Sequence, residues 1–368
     1  MRVLYWTELF WPHIGGIEVL STRFIPAMRD RGHEFAVATS HAGLDLPDTD
    51  EWEGVPIHRF RFRQAIGDGD LPAVARATRG VAALKREFRP ELVHVRMSGP
   101  SVFFHLLTRD AHSCPLLVSV SAAPPEGGAG SGTLLSSVMS SAAWVTANSE
   151  AILQDVLRLA PDVRSRASVI HPAQVMPRVE PAPLPLDPPT ILCLGRVVTD
   201  KGFDVALAAF ARVRTVLPTA RLVIAGDGPD RPELEADARA LGLGEVVSFR
   251  GWVPPERVPD LISEATVVAV PSRVREAFGL VAVEAALMER PVVATSVGGL
   301  GEAVADRKTG LLVPRNDVDA FANALLSLLR DPDRAAAMGQ AGRARAMREF
   351  DHDAHIDAYA DIYARLAA

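Results

Sequence analysis

Two glutamates, Glu276 and Glu284, bracket the stretch Glu-Ala-Phe-Gly-Leu-Val-Ala-Val-Glu, in which a glycine is followed by an apolar run. That pattern predicts a helix starting near Gly279, and at roughly 3.6 residues per turn Glu284 falls on its second turn. Helical side chains lean toward the N-terminus. Glu276 in the preceding loop and Glu284 are therefore expected at one mouth, beside the N–H groups of Phe278, Gly279 and Leu280. Those donors and the positive end of the helix dipole suit an anion, while carboxylates suit hydroxyls. A phosphorylated sugar or a nucleoside diphosphate sugar presents both. Read alone, the same stretch is more simply that of two solvated glutamates on an amphipathic helix.

Two cations belong in the same argument. Arg196 and Lys201 lie in the loop Gly-Arg-Val-Val-Thr-Asp-Lys-Gly over 195–202, directly after an apolar run read as a strand. A guanidinium and an ammonium at a strand end can clamp a pyrophosphate and stabilise the charge that grows on it as it leaves. Near the N-terminus, a strand over 2–8 leads to Gly15-Gly16 and then a helical pattern. Glycines at that position let backbone N–H groups approach a phosphate. The full Gly-x-Gly-x-x-Gly fingerprint and its trailing acid are missing, which argues against a nicotinamide cofactor.

The elements that must hold these residues alternate between strand and helix. Helices are expected over 16–31, 71–88, 101–111 and 150–159, the last capped by Ser149. Strands are expected over 34–40, 91–96, 115–120, 144–146 and 168–170. Residues 44–53, including Trp52, read as a polar loop, and 121–132 as a small, glycine-rich one. Over 55–63, Arg59, Arg61 and Arg63 alternate with Phe60 and Phe62, as on an edge strand with its arginines in solvent. The same basic face is the one candidate for peripheral membrane contact. Prolines at 172, 177, 181, 183, 185, 188 and 189 interrupt the pattern, an extended segment that marks a domain boundary. The alternation restarts with strands over 190–194, 221–225, 246–249, 266–270, 291–295 and 310–313 and ends in helices only. The Gly226-Asp-Gly-Pro229 and Gly298-Gly299 stretches read as turns.

Alternation of this kind predicts an α/β fold of two Rossmann-like, doubly wound domains facing across a cleft. Residues 1–171 form the first, with the helix over 351–368 packed back on it; 172–189 link them and 190–350 form the second. A chain of 368 residues is long enough for two cores. Its formal net charge of −6 is spread along the chain, which argues against a nucleic-acid partner. Cys114 and Cys193 fall in different domains and read as thiols of a reducing compartment. Glu8 interrupts any leader-like core, and no apolar run is long enough to span a bilayer, so the expected location is cytoplasmic.

The ordered set Gly15-Gly16-Ile17-Glu18, Gly195-Arg196 with Lys201-Gly202, Gly226 to Pro229, Pro271-Ser272, the 276–284 stretch, Pro291 to Thr295, Gly298-Gly299 with Glu302, and Thr309 to Leu312 resembles the group-one, or family-four, retaining glycosyltransferases of the GT-B fold. The resemblance covers nearly the whole chain and implies hexosyl transfer from a nucleoside diphosphate sugar to an acceptor hydroxyl. It implies that Arg196 and Lys201 hold the diphosphate, with Gly15 or Gly16 adding N–H groups. Glu284 would take the ribose hydroxyls, Glu276 with the N–H groups of Phe278, Gly279 and Leu280 would position the donor sugar, and the main chain near Trp252 and Val253 would support the base. It implies no cofactor and no metal. Ser121 stands where many members carry a histidine beside the donor sugar, Arg290 where glycine is common, and His171-Pro172 where an asparagine-glycine turn is frequent. A GT-B phosphorylase or epimerase and a non-catalytic sugar-nucleotide-binding subunit are the alternatives.

Overall fold

The structure is a computed structural model that describes residues 1–13, 15–41, 43–67, 69–97, 99–122, 133–177 and 179–367. It divides into two compact units, one of Met1–His171 with Asp353–Ala368 and one of Pro172–His352.

In the first unit the order is β1 (Arg2–Thr7), α1 (Gly16–Arg29), β2 (Glu34–Ser40), β3 (Thr49–Trp52), β4 (Val55–Phe60), α2 (Phe62–Gly67), α3 (Leu71–Phe88), β5 (Leu92–Met97), α4 (Val102–Leu107), β6 (Leu116–Val120), α5 (Leu134–Ser141), β7 (Trp144–Ala147), α6 (Glu150–Leu159) and β8 (Ala167–Val169). These strands form one sheet in the order β3-β4-β2-β1-β5-β6-β7-β8. Every pairing is parallel except that of β3 with β4. β1 is buried from Val3 onward and β6 throughout, as expected of parallel strands covered on both faces.

Several sequence expectations change here. The stretch around Trp52 is not a loop but the antiparallel edge strand β3, so β4 is an inner strand. The arginine–phenylalanine alternation over 55–63 stops at Phe60. Arg59 is 2% exposed and its guanidinium is held by Asp50 (2.9 Å) and the carbonyls of Trp11 (2.9 Å) and Pro47 (3.2 Å). Phe62 opens α2 and is fully buried, stacked on Trp6 and Phe104. Among the described side chains Arg59 is therefore lost to the basic surface stripe that motivated membrane contact: hydrogen bonding of a buried guanidinium and burial of a ring outweigh strand periodicity. The helix expected over 101–111 ends at Leu107. Thr108 Oγ1 bonds back to Phe104 O (2.7 Å), and a short 3₁₀ turn follows.

The second unit runs β9 (Thr190–Leu194), α7 (Phe203–Val216), β10 (Arg221–Ala225), α8 (Arg231–Ala240), β11 (Val247–Gly251), α9 (Val258–Ser263), β12 (Val267–Val270), α10 (Leu280–Leu287), β13 (Val292–Thr295), α11 (Leu300–Ala303), β14 (Gly310–Val313), α12 (Val318–Leu329) and α13 (Pro332–Glu349). Its six parallel strands take the order β11-β10-β9-β12-β13-β14. Phe210, Val213, Phe321 and Leu325 join α7 and α12 over one face of this sheet. Fully burying a side chain of that size contributes about 1.5–3 kcal/mol. The proline-rich segment lies along this unit, because the fully buried Arg290 donates to the carbonyls of Ala182, Pro183, Ser263 and Met288. A glycine at that position could tie none of them.

The last helix, α14 (His352–Ala367), returns to the first unit. Tyr359 and Tyr363 are buried there. Tyr363 Oη meets His94 Nδ1 at 2.8 Å, while Tyr359 Oη meets Ser119 and Thr146, each at 3.1 Å. Burial drives the His94 imidazole well below its usual pKa, so it sits neutral in this network.

Candidate active site

In the second unit the strand order reverses between β9 and β12, and the connections that follow them leave the same edge of the sheet. Doubly wound sheets bind ligands at such a switch point, beyond the strand C-termini. The loop after β9 carries Arg196 and Lys201; that after β12 carries Glu276. One close backbone approach locks these loops together, and a second ties the 276 loop to the turn after β13. Gly202 adopts φ +65°, and a Cβ there would lie 2.2 Å from Pro271 O. Gly298, at φ +55°, would meet Glu276 O at 2.2 Å. Arg273 N donates to Asp200 O (2.8 Å), and Gly299 N to Glu276 O (2.8 Å). The Gly226 turn buttresses the first loop, with Val197 N donating to Asp227 O (2.9 Å).

Glu276 is held by two groups on one oxygen. Lys201 Nζ is 2.5 Å and Ser272 Oγ 2.7 Å from Oε1. Among the described residues Oε2 has no hydrogen-bond partner. The carboxylate is 16% exposed and the ammonium 29%, so water screens the pair and it contributes about 1 kcal/mol at most. Its value is orientation. Arg196 is exposed and, among the described residues, has no carboxylate partner. The neighbouring Arg273, by contrast, is tied to Asp204 and Asn316.

The helix α10 begins as the sequence predicts, with Gly279 as N-cap at φ +100°. Its leading N–H groups lack intrahelical partners. The Phe278 side chain is not at the mouth: it is buried against Phe350, ring centroids 5.1 Å apart. Glu284 Oε1 accepts from Gln174 Nε2 at 3.1 Å, so the two glutamates have separate partners. Gln174 is itself buried and its N–H donates to Phe350 O (3.3 Å). Sequence reading missed it, because the proline-rich segment has no periodicity to show which side chain turns inward. Trp252, just beyond β11, is 55% exposed, while Val253 packs on the core.

In the first unit Gly15 caps α1 with extended backbone and Gly16 is its first residue. The Glu18 carboxylate folds over this cap, so that a Cβ on Gly15 would lie 2.3 Å from Glu18 Oε2. Ser121 follows β6; it is buried and its Oγ has no partner among the described residues. Residues 123–132 of that loop lie outside the described ones. Cys193 is buried in β9, and burial pushes its thiol up to about 12. Among the described residues no group of three or more His, Cys, Asp or Glu side chains is placed to hold a metal ion, and no helix is long and apolar enough to cross a membrane.

Two family models match in tandem. Residues 15–173 match the glycosyl transferase 4-like domain, and residues 179–345 match glycosyl transferases group 1. The chain belongs to the group 1 glycosyltransferases. Curated relatives in this family include a GDP-mannose-dependent alpha-(1-6)-phosphatidylinositol monomannoside mannosyltransferase of Mycolicibacterium smegmatis. It is 42% identical over 163 residues, 43% of either chain. A D-inositol 3-phosphate glycosyltransferase of Streptomyces avermitilis is 36% identical over 245 residues, 61% of this chain and 52% of that one. The chain thus spans about half the length of the curated relatives it matches. Among solved structures, sucrose-phosphate synthase from Thermosynechococcus elongatus superposes with a TM-score of 0.84 at 24% identity, covering 100% of this chain and 99% of that one. Anabaena HepE in complex with UDP-glucose gives 0.80 at 20% identity, covering 99% and 100%. The fold is that of the GT-B glycosyltransferases, with two parallel-sheet α/β units.

Proposed function

We propose that this protein transfers a hexosyl group from a nucleoside diphosphate sugar to an acceptor hydroxyl, with retention at the anomeric carbon and without a bound metal. The observation that carries the reading is at the switch point of the second sheet, where an uncommitted guanidinium, Arg196, and a carboxylate with one free oxygen, Glu276, emerge on adjoining loops. Relatives named for GDP-mannose and a structural neighbour containing UDP-glucose support a nucleotide-sugar donor.

In this reading the bond between the anomeric carbon and the diphosphate oxygen breaks as the acceptor oxygen bonds that carbon from the same face. The acceptor proton passes to the departing phosphate oxygen. No side chain acts as nucleophile. Arg196 and Lys201 stabilise the charge on the leaving diphosphate, aided by the N-terminal N–H groups of α10. Glu276 Oε2 accepts from a donor-sugar hydroxyl while Lys201 and Ser272 fix its other oxygen. Glu284, steadied by Gln174, binds the ribose hydroxyls, and Trp252 and Val253 border the base.

Titration calorimetry of Lys201→Ala and Glu284→Ala with uridine, guanosine, adenosine and thymidine diphosphates tests the donor site. For the nucleotide that binds, each variant is expected to weaken affinity by about tenfold, the equivalent of 1.4 kcal/mol. Unchanged affinity in both overturns the assignment.

A further inference from the structure

The first unit holds a cavity of about 380 Å³ lined by Ser40, His41, Gly43, Leu44, Asp45, Arg61 and Gln64. It lies beyond the C-termini of the neighbouring parallel strands β2 and β4, which end at Ser40 and Phe60. That is the edge on which doubly wound sheets receive ligands, and the volume is within the range of small-molecule sites. None of its side chains has a part in the donor-site reading.

One wall group is only partly satisfied. His41 is 5% exposed, and among the described residues neither ring nitrogen makes a hydrogen bond. Nε2 lies 2.9 Å from Asp48 Oδ1, while Nδ1 has no partner among the described residues. Buried polar groups are rarely left so. Beside it, Arg61 is exposed and, among the described residues, has no carboxylate partner. The charges of Arg61 and Asp45 cancel, and Gln64 supplies an amide that both donates and accepts.

We infer that this cavity is a saccharide subsite, with His41, Arg61, Asp45 and Gln64 binding the vicinal hydroxyls of a neutral pyranose ring. A lining that is neutral overall and mixes donors with acceptors matches hydroxyls, each of which donates one hydrogen bond and accepts others. An anion would leave Asp45 opposed to it, and an apolar ligand would leave His41 Nδ1 unpaired. The exposed Leu44 side chain, on the rim, offers a surface for the ring's C–H face. Assigning this ring to the acceptor rests on the transferase reading; the existence of the subsite does not.

The test uses the full chain and no nucleotide. Methyl α-D-glucopyranoside and methyl α-D-mannopyranoside are titrated while imidazole C–H signals are followed by NMR, the His41 signal being identified by its loss in His41→Asn. Saturable movement of that signal with at least one glycoside is expected. Arg61→Gln and Asp45→Asn, both at exposed positions, are expected to weaken that binding about tenfold and to leave nucleoside diphosphate affinity unchanged. A His41 signal that stays still up to the solubility of both sugars overturns the proposal, as does movement with inorganic phosphate alone or wild-type sugar affinity in both variants. Should His41→Asn fail to fold, the two exposed variants decide the matter by saturation-transfer NMR on the sugar.

Discussion

At the scale of single residues, the two candidate-site glutamates are oriented by different neighbours. Glu276 is oriented by Lys201 and Ser272, and Glu284 by Gln174. A second residue-level feature is Lys85, buried in α3. Its Nζ contacts His105 Nδ1 (3.2 Å) and the carbonyls of His105 (3.3 Å) and Thr108 (3.2 Å), so it caps the end of α4. Burial lowers its pKa from 10.5 to about 8; burial and the facing Lys85 lower that of His105 to about 3. Between about pH 8 and 10.5 the unfolded chain holds a proton that the folded chain has released, so stability rises with pH across that window. Below it the lysine is charged in both states and the cost of burying it is constant. The full rise is on the order of 3 kcal/mol. Burial raises the Cys193 thiol from 9.0 to about 12 and the Cys114 thiol above 9.0, so both oppose this rise from about pH 9, and Tyr5, raised from 10.0 to about 12 mainly by burial, opposes it from about pH 10. In urea denaturation between pH 8 and 10 the stability of the native protein is expected to climb relative to that of Lys85→Met by about 2 kcal/mol, the opposing groups being common to both. A difference that stays constant with pH would show that Lys85 is not the titrating group.

At the scale of elements, the candidate site is assembled by loops whose conformations are set by backbone contact. Gly298 bears on this directly, because an alanine there would combine left-handed φ with a 2.2 Å approach to Glu276 O. Gly298→Ala is expected to destabilise the second unit by about 2–4 kcal/mol and to weaken nucleoside diphosphate binding through the displaced loop. Equilibrium unfolding and calorimetry on the same preparation check both; native stability would mean that the 276 loop yields freely. Much at this level was legible. The spans of α3 and α6, the Ser149 cap, whose Oγ accepts from Ile152 N (3.2 Å), and the Gly279 start of α10 follow from periodicity and capping chemistry. β3, α2 and the break at Thr108 did not, since a short edge strand is polar on both faces and Phe62 is buried by rings distant in sequence.

At the scale of the whole molecule, the switch point of the second sheet is what makes Arg196, Lys201 and Glu276 neighbours. If that edge binds a nucleoside diphosphate, the ligand stabilises the folded state by mass action. At a hundred times its dissociation constant the gain is about 2.7 kcal/mol. A thermal-shift series with the four diphosphates, run in EDTA, is expected to single out one base and to retain its full effect. A shift that vanishes with EDTA would contradict metal-free binding, and no shift with any base would remove the donor site.

Sequence alone determined the class of fold, because buried parallel strands must be apolar runs and the helices between them must be periodic. It also singled out Arg196, Lys201, Glu276 and Glu284, since charged groups beside glycines after such runs have a chemical meaning that spacing reveals. Tertiary structure alone decided that Lys201 binds Glu276, that Gln174 reaches Glu284, that Arg59 and Arg290 are buried ties and that His41 lines a cavity beside Asp48. Each of those depends on which backbone carbonyl or carboxylate arrives from a remote segment, and no local pattern encodes that arrival.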